Sequence, residues 1–381
     1  MNITLIATTI MGFESILAQE LKDLGFKNIT VHNTKVEFSG TLSDICRANL
    51  WLRTAGRVYV KIAQFKATTF DELFDQTAAC PWEQWIQPND KFPIHSITAK
   101  KSKLFSKSDG QSIVKKAIVE RLKKAHGCQV LPETKALFNI RVQIENDIVI
   151  LSIDTSGTGL NKRGYRAHMS TAPLRETLAA GLVLLSRWKA DRDVLMDPFC
   201  GTGTILIEAA MIAKNIAPGL QRTFASDQWQ CIAKKQWQAS RQQATDMIDK
   251  GATCRIYGSD NNPRVLSIAN KNIQLAGLTD IYVQNRDISE VSSRFEYGKL
   301  ITNPPYGERL SDAAEIEALY TTMGQIFKEK LKDWSYYILT PSEDFSFLFK
   351  QKPSKKRKLY NGGMLCWYYQ YFAKVHLQSR K

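Results

Sequence analysis

Four consecutive residues, Asn303, Pro304, Pro305 and Tyr306, combine groups that could act on the amine of a nucleobase. Successive prolines lack N–H donors and leave carbonyl oxygens exposed at the end of a strand predicted over residues 299–302. The Asn303 side-chain oxygen and the Pro304 carbonyl could accept both hydrogens of an exocyclic amine and aim its lone pair at a methyl group. The Tyr306 ring could stack on an extruded base. These residues favour methylation of a base amine over a simple turn, and they leave DNA and RNA undecided.

A glycine-containing turn separates a strand predicted over residues 194–197 from a helix predicted over 204–214. Glycine lets a ligand lie against bare backbone, and the start of a helix offers unpaired N–H groups. A dinucleotide motif would need a third glycine near Leu206, so NAD binding is disfavoured. The alternative is a turn without a ligand. The residues of this predicted ligand-binding turn are Asp197, Pro198, Phe199, Gly201 and Gly203.

An acidic residue closes each of the next two predicted strands, Asp260 after 255–259 and Asp287 after 281–286. Ligands of a doubly wound sheet bind at the carboxyl ends of its strands, so both carboxylates should line the same crevice as the glycine turn. Asp260 could accept two ribose hydroxyls, and Asp287 could accept an adenine amino group. The alternative for both is a helix N-cap.

The elements that must position these residues alternate between strands and helices from residue 176 to residue 340, which predicts a doubly wound, largely parallel sheet. A terminal hairpin is predicted from strands over 358–361 and 364–372. Residues 217–252 are predicted to be an extra helical insertion. The N-terminal half predicts a small α+β unit over about 1–62, with a strand over 31–38, and a second α/β unit that ends in strands 138–145 and 147–154.

Composition favours a polyanionic partner, because 52 basic and 37 acidic residues give a formal net charge of +15. The seven cysteines are widely spaced and form no CxxC pair, so we expect reduced thiols and no metal site. Met1 leads directly into a predicted strand, and no apolar run approaches the length of about 18 residues that a membrane span needs. We therefore expect a cytoplasmic, soluble protein.

Two basic segments could contact RNA phosphates, which fix position without reading sequence. The alternative for the segment that begins at Lys100 is a solvated helix face. A third run, 352–358, offers the same two interpretations. The predicted RNA-binding residues are Lys100, Lys101, Lys103, Lys107, Lys162, Arg163 and Arg166.

The C-terminal half resembles the class I S-adenosylmethionine (SAM)-dependent amino-methyltransferases in its glycine turn and in residues 303–306, and 307–309 extend the match. Residues 161–166 and 173–180 resemble a narrower family, the bacterial ribosomal RNA guanine-N2 methyltransferases that carry a THUMP RNA-binding domain. This resemblance implies an α/β fold in which ferredoxin-like (1–62) and THUMP (63–155) domains, followed by a linker (156–170), precede a Rossmann-like methyltransferase domain (171–381). That domain has a seven-stranded sheet and a terminal β-hairpin.

The resemblance also implies SAM as cofactor and S-adenosylhomocysteine (SAH) as product. Asp197–Gly203 would form the SAM loop, Asp260 would bind ribose, Asp287 would face adenine, and Glu176 and Thr177 would lie beside the methionine moiety. The remaining implied contacts come from Asn261, Ile288 and Asn303.

The expected function is therefore methylation of a guanine N2 amine in 23S ribosomal RNA, with structured RNA as partner. Three alternatives stay open: a DNA adenine-N6 methyltransferase, a tRNA guanine-N2 methyltransferase and a non-catalytic RNA-binding assembly factor.

Overall fold

The computed structural model describes residues 2–166, 174–307 and 313–373 and divides the chain into two compact units. The first unit contains Met1–Thr9, Leu17–Leu160 and Arg222–Ala244. The second contains Ile10–Ile16, Asn161–Gln221 and Thr245–Lys381. Each unit is built on one seven-stranded sheet.

The sheet of the first unit has the strand order β2-β3-β1-β4-β7-β6-β5 and is antiparallel except for the parallel pair β5–β6. Its first four strands and two helices form a βαββαβ arrangement, to which the remaining three strands are added through β4 and β7. The elements of this part are β1 (Ile3–Thr8), α1 (Glu14–Asp23), β2 (Lys27–His32), β3 (Lys35–Gly40), α2 (Leu42–Trp51), β4 (Arg57–Lys66), α3 (Phe70–Ala79), β5 (Ile94–Lys100), α4 (Lys107–His126), β6 (Asn139–Glu145) and β7 (Ile148–Asp154).

The sheet of the second unit has the order β10-β9-β8-β11-β12-β14-β13. Its first five strands are parallel, and β13 and β14 form the antiparallel terminal hairpin that the sequence predicts. The further elements along the chain are α5 (Glu176–Ser186), β8 (Leu195–Asp197), α6 (Thr204–Ala213), α7 (Lys234–Asp246), β9 (Ile256–Asp260), α8 (Pro263–Leu275), β10 (Ile281–Asn285), β11 (Lys299–Thr302), α9 (Ala313–Lys330), β12 (Ser335–Thr340), α10 (Phe345–Leu348), β13 (Lys355–Asn361) and β14 (Met364–Tyr371).

Strand β12 shows why the parallel strands read as unbroken apolar runs. Tyr336 and Ile338 pack into one hydrophobic cluster, and the alternating Tyr337 and Leu339 pack into another. Both faces of this strand are therefore buried, as is usual for a parallel sheet covered by helices. The chain order reverses between β8 and β11, which opens a crevice at the carboxyl ends of these strands.

Two predictions need correction. The strand predicted over 31–38 is a hairpin, because Thr34 adopts a left-handed φ of 60° and turns β2 into β3. The linker predicted over 156–170 stays a prediction: among its described residues Ser156 is fully buried and Tyr165 is 1% exposed, whereas Lys162 is exposed. Residues 167–170 lie outside the described residues.

The predicted insertion 217–252 contains α7, but its middle part belongs to the first unit. There the Trp229 ring stacks on Phe138 with ring centroids 4.4 Å apart and donates its Nε1–H to the Leu137 carbonyl at 3.1 Å. The Ser226 hydroxyl donates to the Thr155 carbonyl at 2.8 Å. Long-range aromatic packing of this kind leaves no periodic signal in the segment itself.

Within the described residues, no helix combines the length and the apolar character that crossing a membrane requires.

Candidate active site

A cavity of about 410 Å³ opens in the second unit at the carboxyl ends of β8, β9, β10 and β11. It collects most of the side chains that the sequence predicts to bind a ligand. Its lining includes Leu174, Asp197, Pro198, Phe199, Gly201, Asp260, Asn261, Asp287, Ile288, Asn303 and Pro305. Among the described lining residues, the predicted residues Gly203, Glu176, Thr177, Pro304 and Tyr306 do not occur.

The glycine turn runs from the end of β8 to the start of α6. Gly203 caps α6 with a φ of 82°, and Gly201 has a φ of 51°, so both adopt the left-handed conformation that favours glycine. A Cβ atom at Gly201 would meet no heavy atom beyond its chain neighbours within 4 Å, so this backbone is open to the cavity. Cys200 is 6% exposed and also lines the cavity.

Asp197 ties the ends of two strands together. Its Oδ1 accepts the Thr302 hydroxyl at 2.6 Å and the Phe199 N–H at 3.1 Å. The residue is 1% exposed, and burial raises the pKa of its carboxyl to about 7, although both hydrogen bonds lower it. Asp197 thus fixes the turn against β11 in addition to lining the cavity.

Both carboxylate oxygens of Asp260 are held by backbone donors. Oδ2 accepts the Gly201 N–H at 3.0 Å, and Oδ1 accepts the Asn262 N–H at 3.0 Å. The N-cap alternative is wrong for this residue, because Asn262 caps α8 by accepting the Arg264 N–H at 3.0 Å. Each carboxylate oxygen keeps a lone pair for a ligand hydroxyl.

Asp287 combines the two interpretations that the sequence left open. Its Oδ1 caps a short 3₁₀ turn (Ile288–Glu290) by accepting the Ser289 N–H at 2.9 Å and the Ser289 hydroxyl at 2.6 Å. These bonds lower the pKa of its carboxyl, the hydroxyl bond being the largest cause. The residue also lines the cavity, where it can accept a further hydrogen bond.

Residues 303–306 follow β11 directly. The Tyr306 hydroxyl donates to the Asn303 side-chain oxygen, which is the atom predicted to accept an amine hydrogen. Burial raises the pKa of the Tyr306 hydroxyl, so this group stays protonated and remains a donor. Pro304 is buried, whereas Pro305 is exposed and lines the cavity. The predicted neighbours Glu308 and Arg309 lie outside the described residues.

Two residues predicted to bind RNA have partners inside the second unit instead. Arg163 is 3% exposed, and its guanidinium pairs with Glu208 at 3.2 and 3.3 Å. Arg166 pairs with Glu176 at 3.2 Å and donates to the Thr204 hydroxyl at 3.0 Å. The prediction is therefore wrong for Arg163, whose buried side chain cannot reach a phosphate, and Arg166 is likewise held by internal partners.

Glu176 and Thr177 begin α5 and are buried, 2% and 7% exposed. Burial raises the pKa of the Glu176 carboxyl, and the Arg166 charge partly offsets this rise. Their predicted contact with the methionine moiety stays a prediction. The lysines at 100, 101, 103, 107 and 162 are exposed.

Sequence reasoning missed three residues that hold the site. Asn272 is 1% exposed and donates to the Thr202 carbonyl at 3.1 Å, which anchors the glycine turn to α8. The Tyr320 hydroxyl lies 3.3 Å from the Pro305 carbonyl and 2.9 Å from the Thr340 hydroxyl. Thr302 is the third, through its bond to Asp197. Asn272 had a signal, since it lies on the same helix face as the buried Leu266, Ala269 and Ile273.

The cavity fits S-adenosylmethionine. The open backbone at Gly201 leaves room for a ligand, Asp260 presents two preorganised acceptors for ribose hydroxyls, and Asp287 presents one for an amine. When bound, this cofactor supplies an electrophilic methyl group on a sulfonium ion. Strand order, glycine turn and acidic strand ends together define a class I SAM-dependent methyltransferase.

Family models place the chain more narrowly. The RMKL-like methyltransferase domain matches residues 163–370, the RlmL ferredoxin-like domain matches 4–59, and the THUMP domain matches 67–154. The chain therefore belongs to the RMKL-like methyltransferases with ferredoxin-like and THUMP domains. The resemblance seen in the sequence and the predicted fold class are confirmed.

Individual relatives agree with this assignment. YpsC of Bacillus subtilis, named as a candidate RNA methyltransferase, is 46% identical over 99% of this chain and 98% of its own length. The ribosomal RNA large subunit methyltransferase K/L of Shewanella baltica is 33% identical over 93% of this chain, which spans 51% of that longer relative.

Two solved structures share the whole fold. SMU.472, described as a methyltransferase and solved in complex with SAH, has a TM-score of 0.91 at 38% identity, covering 98% of each chain. A Listeria monocytogenes protein, named as an N6-adenine-specific DNA methylase, has a TM-score of 0.93 at 44% identity, covering 98% of this chain and 97% of its own.

Proposed function

We propose that this chain transfers the methyl group of SAM to the exocyclic N2 amine of a guanine in 23S ribosomal RNA. The observation that carries the proposal is that Asn303 lines the same cavity as Asp197, Asp260 and Asp287. A base amine held at Asn303 would thus lie beside the cofactor. Positioning of the two reactants is the main source of rate for such a displacement.

The bond from the Tyr306 hydroxyl to Asn303 supports a specific role for each residue. An amide oxygen has two lone pairs, so one can hold Tyr306 while the other accepts an amine hydrogen. The same bond fixes the orientation of the Asn303 side-chain amide, with its oxygen directed at the Tyr306 hydroxyl. Asn303 would then be the acceptor, and Tyr306 would position it while its ring contacts the base.

One further acceptor is needed for the second amine hydrogen. We propose that the Pro304 carbonyl accepts the second amine hydrogen. Tyr320 contacts the Pro305 carbonyl and so supports the backbone of this turn from α9. Loss of an amine hydrogen after methyl transfer completes the reaction, and solvent can take up that proton.

The cofactor contacts follow the same logic. We propose that the turn from Asp197 to Gly203 holds the methionine end together with Glu176 and Thr177, that Asp260 and Asn261 bind ribose, and that Asp287 and Ile288 contact adenine. Asp287 can accept an adenine amine hydrogen on the oxygen that does not cap the 3₁₀ turn.

An RNA substrate is supported by the THUMP domain and by the names of the K/L relatives, which act on large-subunit ribosomal RNA. The exposed Phe105, 79% accessible, lies among the exposed lysines of the loop from β5 to α4. We propose that this loop contacts RNA phosphates through Lys100, Lys101, Lys103 and Lys107. The domain limits 1–62, 63–155 and 171–381 remain our proposal, with residues 222–244 packed in the first unit.

The test is to incubate the protein with labelled SAM and unmodified 23S ribosomal RNA, and to analyse the nucleosides by mass spectrometry. We expect N2-methylguanosine. N6-methyladenosine in duplex DNA would support the rival activity suggested by the Listeria relative's name, and label in transfer RNA alone would support the tRNA alternative. Either result would overturn the proposed substrate.

Three variants test the proposed roles. Asn303→Ala should lower kcat by at least about a hundredfold, because it removes an acceptor for developing charge, and calorimetry with SAH separates this loss from any change in cofactor affinity. Tyr306→Phe keeps the ring and should lower kcat more than it raises KM, whereas Tyr306→Ala should change both. Unchanged cellular ribosome assembly in an inactive Asn303→Ala strain would favour the assembly-factor alternative.

A further inference from the structure

At the β10 edge of the sheet in the second unit, one face lacks the helix that the other connections supply. The connections from β8 to β9, from β9 to β10 and from β11 to β12 each contain a helix, α6, α8 and α9. The connection from β10 to β11, residues 286–298, contains only the 3₁₀ turn Ile288–Glu290. A sheet face in a doubly wound fold is normally buried, so this gap needs an occupant or a function.

Side-chain alternation shows which residues occupy that face. A Cβ atom at Gly258 would lie 2.4 Å from the Leu206 side chain, so Gly258 faces α6. Its neighbour Tyr257 therefore faces the opposite side, and the parallel register pairs Tyr257 with Tyr282. Tyr282 is 61% exposed and lies near the start of β10, the edge strand of this sheet.

The rings of Tyr257, Tyr282 and Phe295 pack side by side and form an aromatic platform. Tyr257 and Tyr282 stack with centroids 5.6 Å apart and planes 22° apart, and Phe295 lies 5.8 Å from Tyr257. Two guanidinium groups lie over the Phe295 ring, that of Arg294 at 5.0 Å and that of Arg255 at 5.5 Å. Arginines that are already held against aromatic rings are well placed to receive phosphates beside a stacked base.

A pocket of about 260 Å³ lies against this platform and has polar groups along its edge. Gln284, Ser292, Ser293, Arg286 and Arg294 line it together with Tyr257 and Phe295, and Tyr282 lies outside this lining. Among its described lining residues none is a carboxylate, and the charged side chains that line it are Arg286 and Arg294. Arg286 also lines the SAM cavity, which makes the two cavities neighbours.

We propose that this aromatic face, defined by Tyr257, Tyr282 and Phe295 with Arg255, Arg286 and Arg294, binds a single-stranded segment of the RNA substrate. One unpaired base stacks on Tyr282, and the adjoining phosphates lie on the arginines. Single-stranded RNA is commonly bound by stacking on exposed aromatic rings of a sheet, together with arginine contacts. The proposal rests on RNA being the substrate, and it adds a second contact region beside the cofactor cavity.

Charge complementarity favours RNA over other occupants. A second copy of this chain carries a net charge of +15 and would bring further basic residues toward an arginine-lined face. An apolar protein partner would leave the Arg286 and Arg294 charges desolvated. RNA offers bases that can stack on the rings and phosphates that can pair with the guanidinium groups.

Binding of full-length protein to a fluorescein-labelled single strand of twelve adenosines tests the proposal by fluorescence anisotropy. Tyr282→Ala should weaken binding about tenfold, since stacking of one base on an aromatic ring contributes roughly 5-fold to 150-fold to affinity. Tyr282→Phe keeps the ring and should bind within about twofold of wild type. Phe347→Ala is the matched control, because Phe347 is 83% exposed on α10 in the same unit.

A labelled RNA duplex of the same length separates stacking from charge. Equal weakening of single-stranded and duplex binding by Tyr282→Ala, or no weakening of either, would overturn the proposal. A change in mass by light scattering without a change in RNA affinity would assign the face to a second copy instead. Crosslinks from a 4-thiouridine oligomer should map to the peptides containing Tyr282 and Phe295.

These measurements need no methyl transfer, so the two proposals can fail separately. Absence of N2-methylguanosine with an intact Tyr282 effect rejects only the proposed reaction. Normal methylation with no Tyr282 effect on any RNA rejects only the aromatic face.

Discussion

Two basic segments of this molecule have opposite surroundings. The segment from the end of β5 to the start of α4 carries exposed lysines at 100, 101, 103 and 107, whereas the segment from 162 to 166 carries two arginines that face inward. Arg163 pairs with Glu208 and Arg166 with Glu176, both across short distances of 3.2 Å. A basic segment therefore forms a solvated surface in one unit and internal ion pairs in the other.

The difference comes from carboxylates in apolar helices. Glu208 is fully buried in α6, whose remaining residues are almost all apolar, and Glu176 is 2% exposed at the start of α5. An isolated buried carboxylate is costly, so each of these helices requires a cation nearby. In the loop the acidic neighbour is solvated instead, since Lys100 meets the exposed Glu145 at 3.6 Å.

The largest expected effect tests the internal role of Arg163. Arg163→Ala should lower the free energy of unfolding by about 3–5 kcal/mol, because it leaves Glu208 buried without its cation. Urea denaturation measures the loss, and hydrogen exchange should locate it in α6. The Tyr165 hydroxyl, 3.1 Å from Glu208, cannot replace a charge.

The double variant Arg163→Met with Glu208→Leu is the control. Replacing both partners with apolar side chains should restore most of the stability, since a well-packed apolar pair can equal a buried ion pair. If Arg163→Ala is as stable as the wild type, the contrast between the two basic segments is wrong, because Arg163 would then be available to another partner.

Parts of this contrast were within reach of the sequence. Glu208 interrupts an otherwise apolar stretch of α6, which is the usual sign of a buried acid that needs a cation. The alternation of strands and helices, the glycine turn and the acidic strand ends are local patterns, and they predicted the second sheet and most of its cavity. The partner of Glu208 is 45 residues away in the chain and leaves no periodic trace.

Other features depend on tertiary packing and could not be predicted. The bond between Tyr306 and Asn303 requires a side-chain conformation that residue types alone do not specify. The aromatic face around Tyr282 depends on a missing crossover helix and on strand register. Segment 222–244 joins the first unit only through contacts such as Trp229 on Phe138.

Arg166→Ala should have an intermediate effect that depends on pH. Arg166 offsets the rise that burial causes in the pKa of the Glu176 carboxyl, so its removal should raise that pKa further. A carboxyl whose pKa is higher in the folded than in the unfolded state stabilises the fold at pH values below its unfolded-state pKa. This stabilisation is lost as the pH rises through the folded-state pKa. We expect a loss of roughly 1.5–3 kcal/mol that is larger at pH 8 than at pH 5 in urea denaturation.

Adding Glu176→Gln to the Arg166→Ala protein removes the titrating group and provides the control. The double variant should show the same deficit at both pH values. If the deficit of Arg166→Ala is independent of pH, the Arg166–Glu176 pair is not what holds the start of α5.

The smallest effect concerns the exposed loop and sharpens the comparison from the other side. Lys101→Gln with Lys103→Gln should lower the slope of log affinity against log salt for ribosomal RNA by about one for each phosphate that the loop no longer binds. Stability should change by less than about 0.5 kcal/mol, because both side chains are solvated. Lys22→Gln with Lys27→Gln removes the same charge from other exposed positions of the first unit. Since net charge alone would act equally in both pairs, an equal change in slope would show that the loop makes no contact of its own, and only a larger change for the loop pair assigns it to the RNA.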